Sequence, residues 1–229
     1  TADAKHVLRE VRLMRLLGAH DNVISMFDVF CNERDDELYI VMELLDSDLH
    51  RIIQSPQPLT EAHNRYFMYQ LIRGIKYLHD HDIIHRDLKP GNLLVTRNCD
   101  LRITDFGLAR EHPKRGECGV NDPNANMDGD HVDDAERMTQ HVVTRWYRPP
   151  ELMLCPDGLY SYYVDIWSAG CIFAELLGRK PLFPGRDYLQ QLRLIVETLG
   201  APSKEDLAGS EPMVVMANWS APVEDAAKG

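Results

Sequence analysis

Ile83-Ile84-His85-Arg86-Asp87-Leu88-Lys89-Pro90-Gly91-Asn92-Leu93-Leu94-Val95 is followed, after a polar turn, by Leu101-Arg102-Ile103-Thr104-Asp105-Phe106-Gly107. Two short apolar runs, at Ile83-Ile84 and Leu93-Leu94-Val95, read as strands flanking a polar loop. A third, Leu101-Arg102-Ile103, reads as a strand that delivers Asp105 at its end. A single Asp, Lys or Asn in a loop is ordinarily a solvated side chain. An ordered set, Asp87, Lys89 and Asn92, followed 18 positions after Asp87 by Asp105, is a candidate site instead.

The 229 residues suffice for one large domain or two small ones, and 44% of them are hydrophobic, enough for a core. The formal net charge of −11 argues against non-specific nucleic-acid binding. Five cysteines, Cys31, Cys99, Cys118, Cys155 and Cys171, are scattered without a C-x-x-C pair. That suits reduced thiols in the cytosol or nucleus better than a disulfide framework. No apolar run approaches 18 residues and no signal peptide is evident, so a soluble protein with no membrane partner is expected.

Outward from the central stretch, residues 1–17 carry Val7, Val11, Met14 and Leu17 on one helical face, with Gly18 as the stop. Residues 23–30 and 37–43 read as two strands around a polar turn. A short helix begins at Leu49 and ends before Pro56 and Pro58. Thr60 caps a longer helix whose Phe67, Leu71, Gly74 and Leu78 share a face to about Asp80. Residues 164–177 are almost wholly apolar, the mark of a helix buried all round, and a further helix covers 188–199. Residues 111–137 are acidic and without periodicity, and read as a loop. Within them Asp122-x-Asn124-x-Asn126-x-Asp128 has Met127 where a calcium loop needs Gly and Asp133 where it needs Glu, so no calcium is assigned.

His85–Asn92 fits H-R-D-L-x-x-x-N and Asp105-Phe106-Gly107 is D-F-G, so the central stretch resembles the catalytic segments of eukaryotic protein kinases. Met138-Thr139-Gln140-His141-Val142-Val143-Thr144-Arg145-Trp146-Tyr147-Arg148-Pro149-Pro150-Glu151 resembles the end of a MAP-kinase activation loop, T-x-Y-V-x-T-R-W-Y-R-A-P-E. Pro149 replaces the Ala, and His141 replaces the phosphorylatable Tyr. The resemblance extends from about Asp3 to Leu207. It implies an α+β, protein-kinase-like fold: a partial small lobe with hinge at 1–45, a mostly helical large lobe at 46–207 with an acidic activation-loop insertion at about 111–137, and a divergent tail at 208–229. The family's Gly-rich loop, the lysine that follows it, and its C-terminal helices have no counterpart in the sequence, so a chain truncated at both ends is expected.

The resemblance also implies roles. Asp87 accepts the proton of a substrate hydroxyl, Lys89 meets the γ-phosphate, and Asn92 and Asp105 supply oxygen ligands to Mg²⁺, with Thr144 hydrogen-bonded to the Asp87–Lys89 pair. Glu43 and Leu45 form the hinge whose backbone meets adenine, behind Met42 at the gatekeeper position; Asp48 meets ribose, and Leu94 forms the floor under the base. Glu10 is the carboxylate of the family's helix C. Thr139 is the phosphorylation site, faced by Arg9, Arg86 and Arg110, whose guanidinium forks suit phosphate. Arg145 and Arg148 match the residues that hold phosphotyrosine in the family; with His141 in the tyrosine's place, activation by one phosphate is expected. The implied activity is transfer of phosphate from Mg²⁺·ATP to protein Ser/Thr, proline-directed, under an upstream MAP kinase kinase, in cytoplasm and nucleus. The alternative is a catalytically impaired kinase-like binding or scaffold module.

Overall fold

The computed structural model describes residues 2–32, 37–111, 145–154 and 161–201. Helix α1 (Ala2–Leu17) opens the chain. It buries Val11, Leu13, Met14 and Leu17, so three of the four expected face residues reach the core, while Val7 is half-buried. Gly18 ends the helix at φ 58°, a left-handed conformation that costs glycine least.

Strands β1 (Met26–Asn32) and β2 (Glu37–Met42) form an antiparallel hairpin. The first strand was expected to begin at Val23. It begins three residues later, because the backbone at 22–24 hydrogen-bonds elsewhere: the Ile103 N–H donates to the Asn22 carbonyl and the Ile24 N–H to the Ile103 carbonyl, both at 2.9 Å. Val23 and Ile103 thus form a parallel bridge. Phe27, Phe30, Tyr39 and Val41 of the hairpin are exposed.

The central stretch folds as its pattern predicts. Strand β3 (Ser47–Asp48) pairs with β5 (Leu93–Val95), and β5 with β6 (Leu101–Ile103), all antiparallel. Strand β4 (Ile83–Ile84) pairs with β7 (Arg110–Glu111), closing a loop on both sides of the candidate site. Between β3 and β4 run α2 (Leu49–Gln54) and α3 (Glu61–Asp80). Thr60 caps α3 in a reciprocal box in which His63 stands where Glu or Gln is usual. The expected face of α3 is buried at Phe67, Leu71, Gly74 and Leu78.

Beyond residue 144 come α4 (Pro150–Leu154), α5 (Tyr163–Gly178) and α6 (Tyr188–Leu199). Helix α5 runs through the core at Val164, Ile172 and Leu176, yet Tyr163, Ile166, Phe173 and Leu177 are exposed among the described residues. The expectation of a helix buried all round therefore holds for one side only. Its apolar composition gave no direction, whereas packing against α3 selects a face. Gly178 stays helical and Arg179, at φ 56°, takes the left-handed cap.

Gly74 is required by close approach. A Cβ there would lie 2.7 Å from Ile103 Cδ1 and 3.0 Å from the Asn22 carbonyl oxygen. Gly74→Ala should push α3 away from β6 and from residue 22, with a loss of about 1–3 kcal/mol, typical of overpacking. Urea unfolding of the two proteins, compared at unchanged m, measures it.

Candidate active site

The site is built from the β4–β5 loop and the end of β6. Asp87 is buried at 7% exposure. Lys89 Nζ donates to its Oδ2 at 2.6 Å. Pro90–Asn92 forms a single 3₁₀ turn, which brings Asn92 back over Asp87. Asn92 Nδ2 donates to the Asp87 backbone carbonyl at 2.9 Å and to its carboxylate at 3.2 Å. Three residues spread over six positions thus share one carboxylate. With its Nδ2 engaged on Asp87, the Asn92 amide oxygen is the end left to act as an acceptor.

Asp105 reaches the same place from β6. The Thr104 N–H donates to the Asn92 carbonyl at 3.0 Å, and the His85 ring Nε2 lies 3.0 Å from the Thr104 carbonyl. Asp105 sits at φ 68°, a left-handed conformation that turns the chain sharply. The next residue, Phe106, is fully buried with its ring centroid 5.3 Å from that of His85. A Cβ at Gly107 would meet Asp105 Oδ1 at 3.4 Å.

The β4–β5 loop is held from below by Asp165, wholly buried near the start of α5. Its Oδ2 accepts the His85 N–H and its Oδ1 the Arg86 N–H, both at 2.9 Å. His79 Nε2, from α3, lies 2.8 Å from Oδ2. Arg86 is itself left-handed, at φ 68°.

Glu10 of α1 is half-buried and faces Asp105, and the Phe106 N–H donates to it. Burial, with the Asp105 charge second, pushes its carboxyl above the usual range, while that hydrogen bond pulls the other way. The residues expected to form the hinge have structural partners as well. Glu43 accepts from Arg102 Nε at 3.1 Å, and its N–H donates to Ser25. Leu45 packs against the core and so does Leu94, which stands opposite Asp48 across β5–β3. Asp48 caps α2: it accepts the Arg51 N–H at 2.9 Å and pairs with Arg51 Nε at 3.2 Å. The sequence reading gave Asp48 a ligand role and missed this one.

Of the regulatory set, Arg110 pairs in register with Ile84, two positions from Arg86. Arg12, one turn after Arg9, makes an ion pair with Glu111 at 3.1 Å, linking α1 to β7. Arg9, Arg86 and Arg110 therefore lie on three linked segments. Arg145 opens a 3₁₀ turn and accepts, at its carbonyl, the Arg148 N–H at 3.1 Å. Thr139, His141 and Thr144 lie outside the described residues, as do the acidic insertion from residue 112 and the tail at 208–229.

A sequence profile described as the protein kinase domain matches residues 1–220. The chain belongs to the protein kinase family. Among similar proteins, mitogen-activated protein kinase 3 of Oryza sativa subsp. japonica is 51% identical over 208 residues, covering 90% of this chain and 50% of that protein. Mitogen-activated protein kinase 11 of Arabidopsis thaliana is 49% identical over 209 residues and mitogen-activated protein kinase 4a of Physcomitrium patens 50% over 208, with the same shares covered. The chain spans about half the length of these relatives. No helix among the described residues is long and apolar enough to cross a membrane.

This kinase chain also holds a buried acid that the sequence reading passed over. Tyr147 donates its hydroxyl to Glu175 Oε2 at 2.5 Å, and Ser168 donates to the Tyr147 carbonyl at 2.8 Å. Burial, followed by the Tyr147 hydroxyl, sets the Glu175 carboxyl: burial raises it, while that hydroxyl and nearby His50 lower it, for a net rise above 4.5. Burial and the Glu175 charge push the Cys171 thiol up to about 12. Only a Glu inside an apolar helix could have signalled this, and such a residue is easily taken for an exposed charge.

Two measurements follow from the geometry. Asp165→Ala leaves the buried His85 N–H and the part-buried Arg86 N–H without an acceptor, the first costing about 1–3 kcal/mol, so the melting temperature should fall, and amide exchange at His85 and Arg86 should accelerate. Glu175 binds its proton more tightly folded than unfolded, so its contribution to stability is full below the unfolded value and is lost as pH rises through the folded one. The stability difference between wild type and Glu175→Gln should therefore drift against wild type as pH rises above 4.5, in thermal unfolding recorded across pH.

Proposed function

We propose that the protein containing this chain transfers the γ-phosphoryl group of Mg²⁺·ATP to Ser or Thr of protein substrates, proline-directed, within a MAP-kinase cascade. The observation that carries the reading is the shared carboxylate: Lys89 and Asn92 both donate to Asp87, 2.6 and 3.2 Å from one oxygen. An Asp so held keeps a fixed direction toward an incoming hydroxyl.

Asp87 accepts the proton as the hydroxyl oxygen bonds to phosphorus and the bond to the bridging oxygen breaks. Lys89 neutralises charge on the transferring group. The Asn92 amide oxygen and the Asp105 carboxylate form an oxygen-only donor pair, which fits Mg²⁺. Bound Mg²⁺·ATP supplies the phosphoryl group and the neutralising cation. The backbone of Glu43 and Leu45 receives adenine over Leu94, Asp48 meets the ribose, and Thr144 steadies Asp87 and Lys89.

Regulation rests on Thr139. A phosphate there adds nearly two negative charges, and Arg9, Arg86 and Arg110 come from the three segments linked by β4–β7 pairing and the Arg12–Glu111 ion pair. His141 cannot take the second phosphate, so one modification activates, set by an upstream MAP kinase kinase. Arg145 and Arg148 then serve without a phosphotyrosine. Cytoplasm and nucleus are the compartments that suit such a cascade.

Asp87→Asn should lower kcat on a Ser-Pro peptide by about 10²–10⁴-fold, with nucleotide affinity retained. Unchanged transfer would remove Asp87 from the role of proton acceptor, whereas absence of transfer by the wild type would return the chain to the binding-module reading. Mass spectrometry of the activated protein should find phosphate on Thr139 and none on tyrosine in the activation segment.

A further inference from the structure

Arg102 sits at a junction the proposed catalysis does not use. It lies on β6, three residues before Asp105, with its side chain 20% exposed. Its Nε is 3.1 Å from Glu43 Oε2, at the start of the hinge, and its Nη1 donates to the Asp21 backbone carbonyl, in the segment that follows α1. Glu43 is 26% exposed.

The surroundings show that this is a built arrangement. Asp21 is held on its other side by Arg73 of α3, at 2.8 Å. Asn22, next to it, is buried and donates to the Leu101 carbonyl at 3.1 Å and to Gln70 at 3.3 Å. Gln70 in turn accepts the Leu101 N–H at 2.9 Å. The Ser25 carbonyl accepts the Glu43 N–H at 3.0 Å. The segment 21–25 is thus fastened to β6 at one end and to the hinge at the other, and the Arg102 side chain spans both. An exposed ion pair would contribute almost nothing. Here both partners are largely covered, and a rigid planar fork donates in two directions at once, which a lysine ammonium on a single stem does poorly.

We propose that Arg102 is a positioning residue for nucleotide binding: it fixes the hinge, through Glu43, at a set distance from the strand that delivers Asp105. The hinge sets where adenine sits, and Asp105 sets where the phosphate-bound cation sits. A fork clamped between the two holds the cleft at the span of one nucleotide. The inference rests on the nucleotide reading of Glu43 and Asp105 in the preceding subsection.

The test uses the full-length protein, Mg²⁺·ATP and a Ser-Pro peptide, with initial rates at varied ATP. Arg102→Ala should raise KM for ATP about threefold to tenfold while kcat at saturating ATP stays within about twofold, the signature of lost binding shared by ground and transition state. Arg102→Lys, keeping the charge without the fork, should give an intermediate KM. Glu43→Gln combined with Arg102→Ala should raise KM by less than the product of the single effects, because both act through one contact. Equal loss of kcat and kcat/KM, an unchanged KM, or full rescue by lysine would each overturn the proposal. Absence of transfer by the wild type would overturn the kinase reading and this inference with it. Transfer by the wild type with KM unmoved in Arg102→Ala would overturn the inference alone.

Discussion

The Asp165 carboxylate is the constraint on which the geometry of the candidate site hangs. It is fully buried, and both of its oxygens accept from the β4–β5 loop, with His79 of α3 closing the third side. A buried carboxylate would be costly alone, but one that satisfies two backbone donors repays the desolvation with directional bonds. Those bonds hold His85 and Arg86 against α5, and they allow Arg86 a left-handed backbone that a free loop would relax. Asp87 follows directly, so its position is inherited from a helix nearly 80 residues later in the chain. The loop is short of regular structure, yet it is among the best-determined parts of the site.

Strand β6 is the second organising feature, although it has only three residues. It pairs with β5 on one edge and bridges to Val23 on the other. It presses against Gly74 of α3 and ends at a left-handed Asp105. Through Thr104 it is tied to both Asn92 and His85. The acid proposed to hold the cation and the acid proposed to receive the proton are therefore not independent. A shift of β6 would move Asp105, Asn92 and the seat of Phe106 together.

A different economy governs the region after residue 144. Tyr147, Ser168 and Glu175 satisfy one another inside the large lobe, joining the 3₁₀ turn at Arg145–Tyr147 to α5. Helix α5 thereby carries two buried acids with opposite duties. Asp165 fixes the β4–β5 loop, and Glu175 fixes the segment leading to α4. Among the described residues, α5 and the β1–β2 hairpin also carry exposed apolar side chains.

The motifs around Asp87 and Asp105 were legible because they are local: a strand, a turn and a strand are specified by neighbours, and chemistry that needs a carboxylate, a lysine and an amide at fixed spacing writes that spacing into the chain. The start of the longest helix was legible for the same reason, since a cap such as Thr60 acts within one turn. The sequence by itself thus determined the order of the main helices and strands, the family likeness, and that Asp87, Lys89 and Asn92 share one loop between two strands. It did not show that Asp48 would cap α2, that Val23 and Ile24 would pair with β6 rather than begin a strand, that α5 would leave one side uncovered, or that Arg102 would reach both Glu43 and Asp21. Each of these depends on contacts between residues tens of positions apart. A hydrogen-bonding group does not declare its partner in one dimension; only the packing of α3 and β6 against residues 21–25 decides which donors and acceptors are brought within 3 Å of one another.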